Sequence, residues 1–154
     1  PETDDYHPAH TLLTQIDELK KVAGWADFTS QPGWDDDLTV NTRGQIDLVW
    51  ASHDVLLALP GVTPDMVDRF LQLRQGPDAI DGTEDDLQLK SVPEALRALG
   101  FNEQQMRQLE PYVAVKSPVF RVTSVGTAGK AKRTVQMVFR RVGVTSQLIT
   151  WKEF

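Results

Sequence analysis

The chain has 154 residues, of which 40% are hydrophobic and 25% charged, as in globular proteins and unlike disordered ones. Its net charge of −6 works against binding to phosphate backbones or anionic lipid, and the absence of cysteine excludes disulfides and cysteine-ligated zinc. No apolar run reaches the roughly 18 residues that predict a transmembrane helix. The first residue is Pro1 and not methionine, so we expect a trimmed piece of a longer chain.

The N-terminal quarter of the chain predicts one short helix and two short strands. Thr14 followed by Asp17 resembles a capping box, for a helix that Gly24 would end. Short β-prone runs follow at residues 38–40 and 46–50.

Residues 52–74 predict two helices joined by a tight turn, a helix-hairpin-helix. Ser52 occupies an N-cap position, the Pro60-Gly61 pair stops the first helix, and Thr63 can cap the second. Apolar residues repeat at helical spacing on both sides of the turn: Val55, Leu56, Leu59, Met66, Val67, Phe70 and Leu71. Each helix can therefore cover the apolar face of the other.

A second pair of helices is predicted after residue 90. Ser91 and Glu94 form a capping box for a helix that Gly100 ends, and Asn102 with Gln105 caps the helix that follows. An apolar helical face ends on a glycine three times in the chain, in LKKVAG, LLALPG and LRALG, and we interpret this as a weak internal repeat of helical hairpins.

From residue 118 onward the hydrophobic period changes from helical to alternating. The pattern predicts three antiparallel strands at 120–124, 134–141 and 147–151, with a glycine-containing hairpin loop at 126–132. Such a small sheet needs cover on its apolar face. The predicted class is therefore α+β, with a helical domain of helix-hairpin-helix (SAM-like) units at 1–116 and a small antiparallel sheet at 117–154.

No arrangement of residues in the sequence predicts catalysis. The chain lacks an HExxH helix, a phosphate-binding loop and a Ser/His/Asp order. Its histidines are His7, His10 and His53; the first two stand in a polar N-terminal segment, and the third is expected to face solvent. We predict that the protein is not an enzyme.

The acidic loop after the first hairpin is the candidate metal site. Oxygen ligands clustered beside a glycine suit calcium. The ligands we predict are Asp81, Thr83, Glu84, Asp85 and Asp86. Their spacing is not that of an EF-hand, and the loop can equally be a solvated acidic turn.

Helix-hairpin-helix units often bind DNA, which makes DNA binding the alternative function. The amides of the glycine turn and nearby cations would contact phosphates. Here Arg69 and Arg74 are the only cations in the second helix, so we expect no nucleic-acid partner. The tryptophans Trp25, Trp34, Trp50 and Trp151 are most simply core or boundary residues, and any that is exposed would mark a contact surface.

The order of the motifs resembles that of general secretion pathway protein K, the large minor pseudopilin of bacterial type II secretion. The resemblance runs from about residue 13 to residue 153. Its motifs in this sequence are ELKKVAGW, LTV, IDLVWAS, VLLALPGV, GTEDD, EPYV, VFRVTSVG, RTVQMVFRR and ITWKE.

This resemblance implies a helical domain inserted into a pseudopilin α/β fold, whose closing strands are the three predicted at the C-terminus. It implies a non-enzymatic assembly protein at the pseudopilus tip, with the minor pseudopilins I and J as partners and calcium bound in the helical domain of some members. It also implies a periplasmic location and a membrane contact only through an N-terminal helix outside this sequence.

Overall fold

The structure, a computed structural model, describes residues 11–42 and 44–154, so His7 and His10 lie outside the described residues. The chain divides into two compact units, Pro1–Thr42 and Arg43–Phe154. Helices occupy the first part of the second unit and a three-stranded antiparallel sheet occupies its end, which confirms the α+β class.

The first unit contains a 3₁₀ helix, Ile16–Lys21, and one short α-helix, α1 (Ala26–Thr29). The N-terminal cap is made by Glu18, whose Oε1 accepts hydrogen bonds from the backbone N–H groups of Thr14 (3.1 Å) and Gln15 (3.0 Å). The predicted partner, Asp17, instead accepts a hydrogen bond from Lys20 (2.8 Å), so the predicted capping pair is wrong by one residue.

The strand predicted at 38–40 is absent, because these residues form only bends and irregular backbone. A β-prone run becomes a strand only when another strand supplies its hydrogen bonds. The described part of the first unit, residues 11–42, contains no other strand that could do so. The second predicted strand shortens to β1 (Ile46–Asp47), which pairs in parallel with β2 (Val113–Ala114).

The first hairpin consists of α2 (His53–Leu57) and α3 (Pro64–Arg74). The side chain of Ser52 accepts from the N–H of Val55 (3.2 Å), and that of Thr63 accepts from the N–H of Met66 (3.4 Å), as the sequence predicts. Gly61 has φ of +79° in the turn, a conformation that disfavours residues with a Cβ.

The second hairpin consists of α4 (Val92–Leu99) and α5 (Glu103–Leu109), followed by a 3₁₀ turn, Glu110–Tyr112. Ser91 and Asn102 are the N-caps, and Gly100 ends α4 in the left-handed conformation with φ of +102°. These three end signals confirm the prediction, because each acts through backbone groups only a few residues away.

One hydrophobic core joins the two hairpins. Its members come from both hairpins, from the segment that leads into α4, from the chain near β1 and from β2, and none comes from the terminal sheet. The buried side chains are Leu48, Ala51, Leu56, Leu59, Val67, Phe70, Leu89, Ala95, Leu96, Leu99, Phe101, Leu109 and Val113. The boundary predicted between residues 116 and 117 stays a prediction, although the partly buried border of the core ends at Val115.

The terminal sheet has the order β3–β4–β5, with β3 at Val119–Ala128, β4 at Ala131–Val142 and β5 at Thr145–Glu153. All three predicted strands are confirmed, each with wider bounds. The register places apolar side chains on one face, here called the apolar face: Phe120, Val122, Val135, Met137, Phe139, Leu148 and Trp151.

No side chain between residues 119 and 153 is buried. The rings of Phe120 and Phe139 stack on the apolar face with centroids 5.6 Å apart, but both faces of the sheet remain open to solvent. None of the helices in the described ranges has the length and apolar content needed to cross a membrane.

Candidate functional site

The acidic loop is attached to the helical core by a buried arginine at the end of α3. Arg74 is only 4% exposed. Its Nη1 donates to the carbonyl oxygens of Ala51 (2.8 Å) and Leu48 (3.3 Å), and its Nε and Nη2 donate to the two carboxylate oxygens of Asp81 (3.0 and 3.1 Å). This bidentate contact orients the carboxylate of Asp81 and also neutralises its charge.

Asp81 therefore acts as the counter-ion of Arg74. Partial burial works to raise the pKa of Asp81, but hydrogen bonds from Gln75 and Arg74, together with the positive charge of Arg74, lower it below its ordinary value. The carboxylate stays ionised at neutral pH, with its oxygens already occupied by three protein donors.

The rest of the loop is held by short-range hydrogen bonds. The hydroxyl of Thr83 lies 2.7 Å from Oδ1 of Asp85 and 3.4 Å from Oδ1 of Asp86. Oδ2 of Asp86 accepts from the backbone N–H of Gly82 at 2.6 Å, and Oδ2 of Asp85 accepts from the N–H of Asp78 at 3.4 Å. The hydrogen bond from Thr83 lowers the pKa of Asp85, against the smaller opposing effect of desolvation.

The structure brings together only part of the predicted calcium ligand set. The hydroxyl of Thr83 lies within hydrogen-bonding distance of both Asp85 and Asp86, whereas Asp81 is turned toward Arg74. Glu84 is exposed. Across residues 11–42 and 44–154, no three carboxylate or imidazole side chains converge in a group suited to a metal ion.

A tryptophan lies against the same loop. The six-membered ring of Trp50 packs against Gly82, at a distance that would place an added Cβ 3.5 Å from its Cη2 atom. Trp50 is 64% exposed and Trp151 is 59% exposed. None of the four tryptophans is buried, so none is a core residue. Trp34 is half-buried at the boundary, and the other three, Trp25 included, are exposed, the condition under which the sequence predicts a contact surface.

The first hairpin offers few cations for phosphate binding. Arg74 is buried and paired with Asp81, which leaves Arg69 as the exposed cation of α3. Nε of Arg69 donates to the carbonyl oxygen of Asp65 (3.0 Å). His53 is half-buried and lies 3.0 Å from a carboxylate oxygen of Asp54 and 3.6 Å from one of Asp68.

Arg74 is the residue that the sequence does not reveal. Its carbonyl partners lie 23 and 26 positions earlier in the chain, one at Ala51 and the other at Leu48 within the strand predicted at 46–50. The nearest available signal is its position at the end of a helix directly before an acidic loop, which is also where ordinary surface arginines are found.

Comparisons with protein-family models, with curated proteins and with solved structures return no match to this chain.

Proposed function

We propose that the chain is the periplasmic part of a minor pseudopilin that acts at the tip of a type II secretion pseudopilus, without catalytic activity. In this role the helical domain predicted at 1–116 is a bulky cap that prevents a further subunit from joining the pseudopilus. The partners are the other minor pseudopilins, proteins I and J of the same system, and the membrane contact is made by an N-terminal helix outside this sequence.

The observation that carries this proposal is the exposed apolar face of the terminal sheet. Phe120, Val122 and Trp151 are exposed there although they form a continuous apolar surface with β4. Contiguous apolar surface of this kind marks a site where another element packs. In the pseudopilin fold that element is the N-terminal helix, which would cover this face.

A second observation supports a role in assembly. The helical region has a core of its own, which leaves the sheet free to interact with other elements.

The test is co-purification of a version that carries the N-terminal helix with proteins I and J. We expect a stable ternary complex. In a matched pair of variants, Trp151→Glu places a charge on the apolar face, whereas Thr150→Glu places it on the opposite face at the next residue of β5. Trp151→Glu should reduce recovery of the complex strongly, and Thr150→Glu should leave it near the level of the unchanged protein.

The assignment is wrong if the version with its N-terminal helix restored does not associate with either protein. It is also wrong if the two glutamate variants weaken the complex equally, because the apolar face would then have no special part in it.

We further propose that calcium binds at Thr83, Asp85 and Asp86, where three oxygen-bearing side chains already lie close together. A ligand bound only by the native state raises stability, by about 2.7 kcal/mol at a concentration 100-fold above its Kd. Thermal unfolding in millimolar calcium should therefore occur at a higher temperature than in chelator, and Asp85→Asn should remove the difference while Asp54→Asn keeps it. Identical melting temperatures in calcium and chelator would exclude the site.

DNA binding by the helix-hairpin-helix is the competing proposal. Titration of duplex DNA at low salt distinguishes the two, because phosphate contacts produce binding that weakens steeply as salt rises. With Arg74 buried, we expect no binding at micromolar protein. Salt-sensitive micromolar binding that Arg69→Gln abolishes would favour the competing function.

A further inference from the structure

The outer edge of β3 presents a row of backbone groups that no other strand engages. The N–H of Arg141 donates to the carbonyl oxygen of Pro118 (2.7 Å), which makes these two residues a hydrogen-bonded pair. Because such pairs alternate along an antiparallel ladder, the backbone groups that point toward β4 belong to every second residue of β3, including Phe120 and Val122. Thr123 and Val125 lie between them, so their N–H and C=O groups point away from β4. Within residues 11–42 and 44–154, β4 is the only strand paired with β3.

This edge lacks the features that normally prevent a strand from pairing further. Proteins protect edges with bulges, proline or lysine. The opposite edge, β5, has a register irregularity opposite Val138/Phe139 and carries Lys152, whereas β3 pairs without interruption from Val119 to Ala128 and contains no proline or lysine. The edge of β3 is therefore the one suited to accept another strand.

The side chains of β3 determine which strand fits. Phe120 and Val122 lie on the apolar face, which carries Arg133 and Arg141 of β4 only at its two ends. Arg121 lies on the opposite face, where β4 adds Lys132 and Arg140. On that opposite face the register places no acidic side chain anywhere in β3, β4 or β5. A strand that pairs with β3 would thus meet Phe120 and Val122 on the apolar face. On the other face it would meet Arg121 between Val119 and Val125, with Lys132 and Arg140 one strand further away.

The net charge of the sheet also favours an acidic partner. Residues 117–154 contain seven lysines or arginines and one glutamate, a net charge of +6, whereas residues 1–116 carry −12. Two copies joined through their β3 edges would bring two sheets of charge +6 together, which disfavours self-pairing. A nucleic acid strand could contact the cations but could not satisfy the row of backbone donors and acceptors as a polypeptide does.

We infer that the β3 edge binds an extended segment of another polypeptide, with apolar and acidic side chains in alternation, as a fourth strand of the sheet. Backbone hydrogen bonds supply affinity, and the alternation supplies specificity because a shift by one residue would place acids on the apolar face. This inference does not rest on the proposed place in secretion.

The test uses two synthetic ten-residue peptides of equal composition. In one, valine and glutamate alternate; in the other, they occur in successive pairs, so charge and hydrophobicity are matched but alternation is lost. Titrated against the 154-residue chain at low salt, the alternating peptide should bind roughly tenfold or more tightly. Hydrogen exchange should slow at the amides of Thr123 and Val125.

Variants locate the binding at the edge. Thr123→Pro removes an outward-pointing N–H without removing a hydrogen bond to β4, whereas Thr123→Ala keeps the amide. The proline variant should lose at least tenfold in affinity for the alternating peptide, and the alanine variant should bind as the unchanged protein does. If the proline variant fails to fold, Arg121→Glu decides: it should prefer a peptide in which lysine replaces glutamate.

Several outcomes would overturn the inference. These are equal affinity for the two peptides, slowed exchange at amides other than those of β3, and no exchange of peptide preference in Arg121→Glu. A dimer of the unchanged chain that Thr123→Pro dissociates would assign the edge to a second copy. Displacement of the bound peptide by a single-stranded oligonucleotide at lower concentration would assign it to nucleic acid.

Discussion

Arg74 shows how one side chain can connect three segments of the second unit. Its guanidinium holds the carbonyls that follow β1, the end of α3 and the acidic loop in one hydrogen-bonded group. Removal of one member of a buried ion pair is costly because the remaining polar groups lose their partners while staying out of water.

We therefore expect Arg74→Ala to lower the free energy of unfolding by roughly 3 kcal/mol. The matched control is Arg69→Ala on the exposed side of the same helix, which should change it by no more than about 0.5 kcal/mol. Urea unfolding of both variants measures the difference. Equal effects would mean that the buried contacts of Arg74 contribute nothing beyond those of a surface arginine.

The pairing of Asp81 also predicts how stability depends on pH. Because the pKa of Asp81 is lower in the folded chain than its ordinary 3.8, the native state releases this proton more readily than the unfolded state. The resulting stability is present above pH 3.8 and is lost as pH falls through the lower folded value.

Asp81→Asn removes this titration, so the variant should lose less stability than the unchanged protein when pH is lowered from about 5 toward about 2, through and below the ordinary aspartate pKa of 3.8. Urea unfolding at several pH values measures this. A variant whose acid destabilisation matches that of the unchanged protein would show that Asp81 is not a significant part of the acid response.

At the level of secondary-structure elements, the sequence predicted best where the deciding interactions are local. Ser52, Ser91 and Asn102 cap their helices because each acceptor needs only an N–H two or three residues ahead. The strand predicted at 38–40 fails for the opposite reason, since its hydrogen bonds depend on a distant partner.

The contrast between local and long-range interactions also explains how much of the acidic loop could be predicted from the sequence. The acidic composition of residues 78–86 is visible in the sequence and so is its turn character. The sequence does not show that Asp81 pairs with Arg74 while the other acids stay in the loop. That contact exists only after α3 has packed onto the chain near Leu48.

The glycine that ends α4 provides a prediction at this scale. Gly100 has φ of +102°, which a residue with a Cβ adopts only with strain, so Gly100→Ala should cost about 1 kcal/mol or more. Gly126 lies in β3 without a positive φ and with open space around its missing Cβ, so Gly126→Ala should be nearly neutral. Thermal unfolding of the two variants compares them, and a neutral Gly100→Ala would remove the argument for the left-handed cap.

At the scale of the whole molecule, stability is unevenly distributed. The core lies entirely between Leu48 and Val113, and the terminal sheet contributes no buried side chain to it. Regions with few buried contacts open at lower free energy than the core.

Hydrogen exchange of the native chain should reveal this division. We expect amides in the middle of α3 and α4 to exchange at least tenfold more slowly than the paired amides of β4, although β4 is hydrogen-bonded to a strand on each side. Equal protection of helices and sheet would indicate that the chain opens as one cooperative unit.

The parallel contact between Ile46 and Val113 has a consequence for how such a protein can evolve. It brings the beginning and the end of the helical region side by side, and the backbone N–H of Ser117 adds a hydrogen bond to Asp47 at 2.7 Å. Chain that leaves and returns at neighbouring points can be lengthened, shortened or exchanged without displacing its flanks. Relatives could thus carry helical regions of very different size on the same sheet.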